Sequence, residues 1–447
     1  MNVLIKGGHI VTPELVFDGD ILISDGKIEK IGKQLSREGT DEVIDATGKL
    51  VFPGIIDEHV HMREPGLEYK DDFEHGTMAA AVGGVTTVAE MPNTIPPVDS
   101  RERIAEKAEL LKKKATVDFA LYGVLTDESV NKLEYMLKEG AIAFKAFLGP
   151  TTGNLPSPDN STIYRALELS KKYDFPVVFH AEDSSLISLF TERMKSSGRN
   201  DPSAHLLSRP PITEEIAVAK IYMIAKETGG KAHVAHISSK GTLDFLLKAF
   251  EEGVRMTGET CPHYLYFDRS HYSTFGSKLK VNPPIREEEH RKALLEAIKS
   301  GVIYSVGSDH APHSPEEKSR ESIWDVPAGF IGVQLLLPSL LNLALDNLIS
   351  LTDIPRLLSR NPAKLLGIWP MKGELIPGKS DGDIVIVDKN GETIVKEEWL
   401  ITKSTITPFI GMKLKGKVEK TLLRGEIIVE NGEIRRKGSG RQLKKFT

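Results

Sequence analysis

The stretch Val51-Phe52-Pro53-Gly54-Ile55-Ile56-Asp57-Glu58-His59-Val60-His61 decides how the rest of the chain is interpreted. Its apolar first half is typical of a buried strand, in which residues two apart point to the same side. His59 and His61 then present two imidazoles to one point, which suits a borderline metal such as zinc. Because a His-x-His pair also occurs by chance in polar loops, the pair indicates a metal site only if partners exist elsewhere.

Further apolar runs follow the first, separated by segments with apolar residues at the three- and four-residue spacing of helices. The predicted strands are 51–59, 84–91, 117–125, 142–148, 176–180, 232–236, 254–259 and 303–308. Continuously apolar strands that alternate with helices predict an α/β fold, a closed (β/α)8 TIM-like barrel. An open doubly wound sheet is the alternative, and the number of strands argues against it.

Both ends of the chain have the pattern of short antiparallel strands. Residues 21–31 alternate apolar and polar positions around Asp25-Gly26, and residues 426–434 do so around Asn431-Gly432. Both dipeptides are typical of tight hairpin turns. Since two short sheets bury their apolar faces best against each other, we predict one small β-sandwich domain from residues 1–51 and 373–447, around a barrel of residues 52–372. Two separate β extensions are the alternative.

Composition limits the classes of partner. The chain has 447 residues, a net charge of -5 and a single cysteine, Cys261. No charge pattern indicates nucleic acid or a membrane surface, and the apolar segment 330–349 contains polar interruptions typical of a buried helix. The N-terminus has no secretory pattern, and one cysteine excludes an internal disulfide framework. We therefore expect a cytoplasmic protein in which Cys261 is a small buried residue.

Metal-type side chains fall where the predicted strands end, which is where chemistry is found in a barrel of this kind. They are His59 and His61 at the first strand, Lys145 within the fourth, His180 and His236 at the fifth and sixth, and Asp309 after the eighth. Lys145 is flanked by Phe144 and Phe147, so its ammonium must lose its charge or gain a partner. A salt bridge to a nearby carboxylate such as Glu182 is the alternative to a metal-related role.

On these residues the sequence resembles the amidohydrolase superfamily. The resemblance implies one or two divalent ions, expected to be zinc, and a carboxylated Lys145 that bridges them. It implies that His59 and His61 bind one ion, that His180 and His236 bind the other, and that Asp309 is both ligand and proton carrier. The flanking β-sandwich is a further feature of that superfamily, so the resemblance spans essentially the whole chain.

Finer motifs are similar to those of dihydroorotases. They are His59-Val60-His61-Met62-Arg63-Glu64-Pro65-Gly66, Gly83-Gly84-Val85-Thr86-Thr87-Val88, Met91-Pro92-Asn93-Thr94, Lys280-Val281-Asn282-Pro283-Pro284-Ile285-Arg286 and Ser308-Asp309-His310-Ala311-Pro312-His313. The resemblance implies that Arg63, Asn93 and His313 hold the substrate's carboxylate, with Asn282 as a further substrate-binding residue. A guanidinium suits a carboxylate, because its fork of donors keeps its charge. A surface ion pair of Arg63 with Glu64 or Glu68 is the alternative.

Two other functions stay open. The stretch Phe144-Lys145-Ala146-Phe147-Leu148-Gly149 also resembles allantoinases and hydantoinases. Allantoinases usually carry asparagine where Arg63 stands, and hydantoinases use a tyrosine shortly after the lysine, whereas the next tyrosine here is Tyr164. The second alternative is a non-catalytic relative that serves as an assembly scaffold, against which the full set of expected ligands argues.

The resemblance therefore implies an enzyme that interconverts N-carbamoyl-L-aspartate and (S)-dihydroorotate plus water in pyrimidine biosynthesis. A metal lowers the pKa of bound water from about 15.7 towards about 7, so hydroxide is the expected nucleophile, with Asp309 as general acid and base. The expected partner is a small-molecule substrate, and the family commonly forms homo-oligomers. Loop 149–156 is predicted at the rim of the site, and His263 is either a rim residue or a donor behind the ligands.

Overall fold

The computed structural model describes residues 1–153 and 155–445. The strands are β1 (Asn2–Val11), β2 (Val16–Ser24), β3 (Lys27–Gly32), β4 (Glu42–Asp45), β5 (Leu50–Pro53), β6 (Ile55–Val60), β7 (Val85–Glu90), β8 (Asp118–Val124), β9 (Ala141–Phe147), β10 (Pro176–His180), β11 (Lys231–Val234), β12 (Met256–Thr260), β13 (Ser305–Val306), β14 (Ile384–Ile394), β15 (Lys413–Leu423), β16 (Glu426–Glu430) and β17 (Glu433–Ile434). The α-helices are α1 (Phe73–Val82), α2 (Arg101–Lys112), α3 (Leu133–Glu139), α4 (Asn160–Tyr173), α5 (Ser184–Ser196), α6 (Pro202–Ser208), α7 (Pro211–Thr228), α8 (Lys240–Glu251), α9 (Pro262–Tyr266), α10 (Tyr272–Phe275), α11 (Glu288–Lys299), α12 (Pro315–Lys318), α13 (Leu336–Leu345), α14 (Asp353–Pro355) and α15 (Asn361–Leu366).

Strands β6 to β13 form the predicted barrel. They pair in parallel and in chain order. A parallel bridge between Val60 and His310, with a hydrogen bond of 2.7 Å from His61 N to His310 O, joins the first strand to the last. The predicted (β/α)8 barrel is confirmed, and the open doubly wound sheet is wrong.

The predicted first strand, 51–59, is divided between two sheets. Its beginning belongs to β5, where Pro53 lies opposite Ile384 of β14, and the barrel strand starts at Ile55. Gly54 lies between the two strands, where the chain passes from one sheet to the other. Only glycine fits there, because a Cβ would lie 2.2 Å from Thr86 Oγ1. The hydrophobicity of the sequence does not indicate this change of sheet, because every residue of β5 and β6 is buried. The domain boundary predicted after residue 51 thus falls inside β5.

Strands from both ends of the chain form the second sheet, which we call the terminal sheet. Its order is β17-β16-β15-β14-β5-β1-β2-β3, with β4 paired to β1. The Asp25-Gly26 turn has φ values of 48° and 78°, and the Asn431-Gly432 turn has 53° and 84°, as the predicted hairpin turns require. Ile23 from one end and Ile386 from the other are buried in one apolar core. The joint burial of the two ends is confirmed, and separate extensions are wrong.

Four of the helices that cover the barrel begin at side chains that cap them. Asp72, Ser100, Asp159 and Asp183 each accept a hydrogen bond from a backbone N–H in the first turn of α1, α2, α4 and α5. Such caps satisfy donors that a helix cannot satisfy itself. The caps therefore help to fix where each of these four helices starts.

The amino-terminal end of the barrel is filled by apolar side chains. Leu366 and Leu443 pack there with Ile56 and Val178 from inside the barrel. The chain end is held by hydrogen bonds from Phe119 N to Arg441 O at 3.0 Å and from Leu443 N to Phe119 O at 2.7 Å. The described residues thus close the amino-terminal end of the barrel interior.

The apolar segment 330–349 contains α13, which is buried from Leu336 to Ala344. The predicted buried helix is confirmed. Within the described part of the chain, no helix combines the length and apolarity needed to cross a membrane.

Candidate metal centre

The six predicted metal-type side chains meet at the carboxyl-terminal end of the barrel. His59 lies in β6 and His61 just after it, Lys145 lies in β9, His180 ends β10, and His236 and Asp309 follow β11 and β13. Each is at most 8% exposed. The barrel thus brings together residues that are up to 250 positions apart in sequence.

Ring nitrogens of the four histidines point to one space. Asp309 Oδ1 lies 3.4 Å from His59 Nε2 and 3.3 Å from His61 Nε2. His180 Nδ1 and His236 Nε2 face each other at 3.0 Å. The His59 and His236 rings, 5.3 Å apart between centroids, connect the two pairs.

The opposite nitrogens of three histidines are bound by protein oxygens. His59 Nδ1 contacts Glu259 Oε1, His61 Nδ1 lies 2.6 Å from Asn93 Oδ1, and His180 Nε2 lies 2.9 Å from Glu182 Oε2. Since these oxygens only accept, each ring keeps its proton on the outer nitrogen and leaves the inner one free as a ligand. The donor set, three such histidines with His236 and a carboxylate, therefore fits a divalent metal.

Lys145 is fully buried, and its ammonium lies 3.4 Å from His59 Nε2 and 5.5 Å from the centre of the Phe147 ring. Burial lowers the pKa of Lys145 to about 8. No carboxylate of the described residues lies within 4.0 Å of it. The alternative salt bridge to Glu182 is wrong, because Glu182 pairs with Arg209 and His180.

The backbone around the centre is strained. Arg63, His236 and Asp309 have φ values of 67°, 42° and 47°, in the left-handed region that residues other than glycine rarely adopt. Asp57 accepts a hydrogen bond of 3.0 Å from Ser308 N and so holds the segment that carries Asp309.

Burial raises the pKa of Asp309, but the adjacent histidines lower it more, to below its ordinary value. Asp309 is therefore an ionised acceptor.

Arg63 lines the cavity above the centre, although its side chain is only slightly exposed. Its Nε donates to Pro312 O at 3.0 Å, and Nη2 lies 3.3 Å from His313 Nε2. The alternative surface ion pair is wrong: Glu64 pairs with Lys114, and no described carboxylate lies within 4.0 Å of Arg63. The guanidinium thus faces the cavity without a counter-charge in contact.

The two predicted asparagines line the same cavity. Asn93, besides accepting from His61, donates to Thr152 O at 3.1 Å. The Asn282 side chain lies 2.8 Å from His205 Nε2, and its oxygen, in the orientation that satisfies both ends of the amide, lies 3.3 Å from Arg209 Nη2. Both amides are therefore anchored by protein groups.

His313 lies behind Arg63 and is not among the described residues that line the cavity. Its Nδ1 is 3.1 Å from Lys70 Nζ, and its Nε2 is 3.0 Å from Ala328 O. The structure thus gives His313 a contact with Arg63 where the resemblance implies a contact with substrate. Motif spacing cannot reveal this, because the direction of the ring depends on partners from distant segments.

The cavity has a volume of about 840 Å3. Part of loop 149–156 lines it through Pro150, Thr151, Thr152 and Gly153, as expected for a rim loop, while Asn154 lies outside the described residues.

His263 is buried and packs against Phe330 at 5.0 Å between ring centres, away from the cavity lining. Cys261 is also buried, as predicted.

Sequence reasoning missed Glu259, which contacts His59, and Arg209, which pairs with the Glu182 carboxylate that contacts His180. Glu259 ends the seventh predicted strand, so its position could have been noticed by the criterion that identified His180. Arg209 has no comparable signal, since it lies in the connection between α6 and α7.

Comparisons of sequence and structure show which known proteins this chain is similar to. The sequence profile of the amidohydrolase family matches residues 50–428. The allantoinase of Deinococcus radiodurans is 34% identical over 451 residues, covering 99% of this chain and 99% of the relative. The dihydroorotase of Aquifex aeolicus is 37% identical over 442 residues, covering 96% of this chain and 100% of the relative. The solved structure of L-hydantoinase (dihydropyrimidinase) from Arthrobacter aurescens is similar with a TM-score of 0.96 and 31% identity, over 98% of this chain and 99% of that chain. The chain therefore belongs to the amidohydrolase family.

Proposed function

We propose that this protein is a dihydroorotase, which reversibly hydrolyses (S)-dihydroorotate to N-carbamoyl-L-aspartate in pyrimidine biosynthesis. The observation that carries the proposal is Arg63, a buried guanidinium at the cavity wall without a carboxylate in contact. A buried cation is costly unless it is paired. The carboxylate of dihydroorotate supplies that pair, through the two parallel hydrogen bonds that suit a guanidinium.

The histidines, Lys145 and Asp309 are proposed to hold one or two zinc ions. His59, His61 and Asp309 form one site, and His180 and His236 form the other. When bound, the metal supplies Lewis-acid activation of water and of the ring carbonyl. Lys145 is proposed to be carboxylated: its neutral amine adds to carbon dioxide and releases a proton, which gives a carbamate anion between the two sites. That anion would remove the cost of an unpaired ammonium beside Phe147.

Asp309 is the proposed proton carrier. Its carboxylate is buried and in contact with both His59 and His61. It takes a proton from the attacking water and gives it to the leaving ring nitrogen. In ring closure it accepts the proton of the attacking ureido nitrogen.

The remaining predicted residues are proposed to position the substrate. Arg63 binds its carboxylate, and His313 supports Arg63 from behind. Asn282 and Asn93 lie on two sides of the cavity and limit how the ring can turn. We also propose a cytoplasmic location, a small-molecule substrate with neither nucleic acid nor membrane as partner, and a homo-oligomer.

Allantoinase is the second candidate, because the relative from Deinococcus radiodurans matches over nearly the full length of both chains. Allantoin is an uncharged ureide and leaves Arg63 without a counter-charge. A catalytically inactive scaffold is the third, and it predicts purified protein without bound metal.

The test is hydrolysis of dihydroorotate and of allantoin by the zinc-loaded protein and by Arg63→Ala. We expect turnover of dihydroorotate, with kcat/KM at least about 30-fold lower in the variant, since removing one partner of a buried charge pair costs about 2 kcal/mol or more. Arg320→Ala is the matched control, because Arg320 lines the same cavity but donates to Asp325 O, and its kcat/KM should stay within about threefold of wild type. Turnover of allantoin alone would overturn the proposal.

A further inference from the structure

Two of the four histidines of the metal centre have a carboxylate behind them. Glu259 contacts the outer nitrogen of His59, and Glu182 contacts that of His180. Both carboxylates are buried. In this respect the two halves of the centre look alike, yet the two carboxylates differ in their own surroundings.

The charge of Glu182 is compensated. Its Oε2, the oxygen that contacts His180, also forms an ion pair with Arg209 Nη1, and Arg209 is itself buried and tied to Pro150 O at 3.0 Å. An arginine keeps its charge under all ordinary conditions. His180 therefore faces a carboxylate whose charge is shared with a fixed cation.

The charge of Glu259 is not compensated in this way. Besides His59, two ionisable side chains lie near Glu259. His233 Nε2 lies 3.7 Å from its Oε2, and Glu58 forms a buried cluster with His233 and Glu259 whose ligand atoms lie within 4.8 Å of one another. No lysine or arginine of the described residues lies within 4.0 Å of Glu259. His59 thus contacts a buried carboxylate that no described lysine or arginine contacts.

An anion behind a histidine fixes the ring and makes its free nitrogen a stronger ligand, and losing it typically costs 10- to 100-fold in metal affinity. We infer that Glu259 is a positioning residue that makes His59, His61 and Asp309 the tighter of the two metal sites. Asp309 adds a second anion to that site. The pair His180 and His236 has no equivalent, because Arg209 offsets Glu182 and His236 Nδ1 has no partner among the described residues.

This inference rests on the metal-holding role proposed above and not on the choice of substrate. Metal affinity is therefore measured without substrate, so a wrong substrate assignment leaves the result unaffected. Failure of wild-type protein to bind zinc would instead overturn the metal-holding role itself.

The experiment is zinc titration of metal-free protein in competition with a chelating dye. In Glu259→Gln the tightest ion should bind about 10- to 100-fold more weakly, because glutamine keeps the shape and the acceptor oxygen but removes the charge. Glu182→Gln is the matched control and should change the affinity for that ion by less than about threefold. Unchanged affinity in E259Q, or an equal loss in E182Q, would overturn the inference.

A second pair of variants tests whether Glu259 acts through His59. In a His59→Gln background, E259Q should change zinc affinity by less than about threefold, since coupled residues are not additive. A full additional loss would contradict the inference.

In the wild-type background, the visible absorption spectrum of the first bound cobalt ion should change in E259Q and not in E182Q. If E259Q does not fold, Glu259→Asp serves instead, with an expected loss of about tenfold.

Discussion

Among the described residues, three buried clusters have side chains that suit a metal, and only one of them is proposed to hold it; Glu58, His233 and Glu259, behind His59, form one of the three. The other two lie at opposite ends of the barrel. His59, His61 and Asp309 form one cluster, and Asp118, Asp381 and Asp383 form the other, with ligand atoms of each within 4.8 Å of one another. The first lies at the carboxyl-terminal end of the barrel. The second lies at the opposite end, where Asp118 begins β8.

The chain itself fills the second cluster. Lys372 Nζ lies 2.6, 3.0 and 2.6 Å from oxygens of the three aspartates, and Lys372 is 1% exposed. Burial alone lowers the pKa of Lys372, but the three carboxylates raise it above its ordinary value. Arg424 adds a second cation on Asp118, at 2.6 Å. We call Lys372 with the three aspartates the Lys372 cluster.

Among the described residues, no lysine or arginine lies within 4.0 Å of Asp309, the carboxylate of the metal centre. Its one lysine, Lys145, is the residue proposed to become an anion. Buried charges that the chain compensates hold the fold together, whereas buried charges that it leaves uncompensated are available to a ligand. Cluster composition alone does not separate the two cases.

The largest expected effect concerns the metal centre. Asp309→Asn should lower kcat for dihydroorotate by about 10²- to 10⁴-fold, because the amide cannot carry the proton. The free energy of unfolding should change by less than about 1 kcal/mol. Steady-state kinetics and urea unfolding measure the two quantities, and a kcat within tenfold of wild type would contradict the role of Asp309.

The Lys372 cluster should respond in the opposite way. Lys372→Met leaves buried carboxylates without their shared cation and should lower the free energy of unfolding by about 3 to 5 kcal/mol. Turnover per folded molecule should stay within about twofold of wild type, since the cluster lies at the far end of the barrel. Urea unfolding followed by circular dichroism provides the measurement. A loss of activity without loss of stability would break the comparison.

Removing metal sharpens the same contrast. Dialysis against a chelator should abolish turnover, and readdition of zinc should restore it. At free zinc 100-fold above the dissociation constant, the ion should stabilise the fold by about 2.7 kcal/mol. Thermal unfolding with and without zinc should show the same shift in K372M as in wild type, because the two clusters are independent. A smaller shift in K372M would show that the clusters are coupled.

The smallest effect is expected for an exposed ion pair. Lys138 and Glu134 lie 2.7 Å apart on α3, with side chains 66% and 39% exposed. Lys138→Ala should change the free energy of unfolding by about 0.5 kcal/mol or less, because water screens the pair. If K138A costs as much as K372M in the same urea assay, burial is not what gives the Lys372 cluster its strength.

The sequence by itself determined the features that depend on local pattern. Apolar runs that alternate with segments of helical spacing predicted the barrel. Parallel strands that are buried on both faces are apolar along their whole length, and helices connect them. Asp25-Gly26 and Asn431-Gly432 identified hairpin turns, because few residues adopt positive φ. The six metal-type residues followed from the rule that parallel strands end at one edge.

The tertiary structure alone decided which charges meet. Lys372 reaches Asp118 across 254 positions, and Glu259 reaches His59 across 200. The direction of the His313 ring and the change of sheet at Gly54 depend equally on distant segments. Local periodicity carries no information about such pairs, since each is set by how strands and helices from the whole chain pack. That packing compensates the aspartates of the Lys372 cluster and leaves the carboxylate of Asp309 without a described lysine or arginine within 4.0 Å.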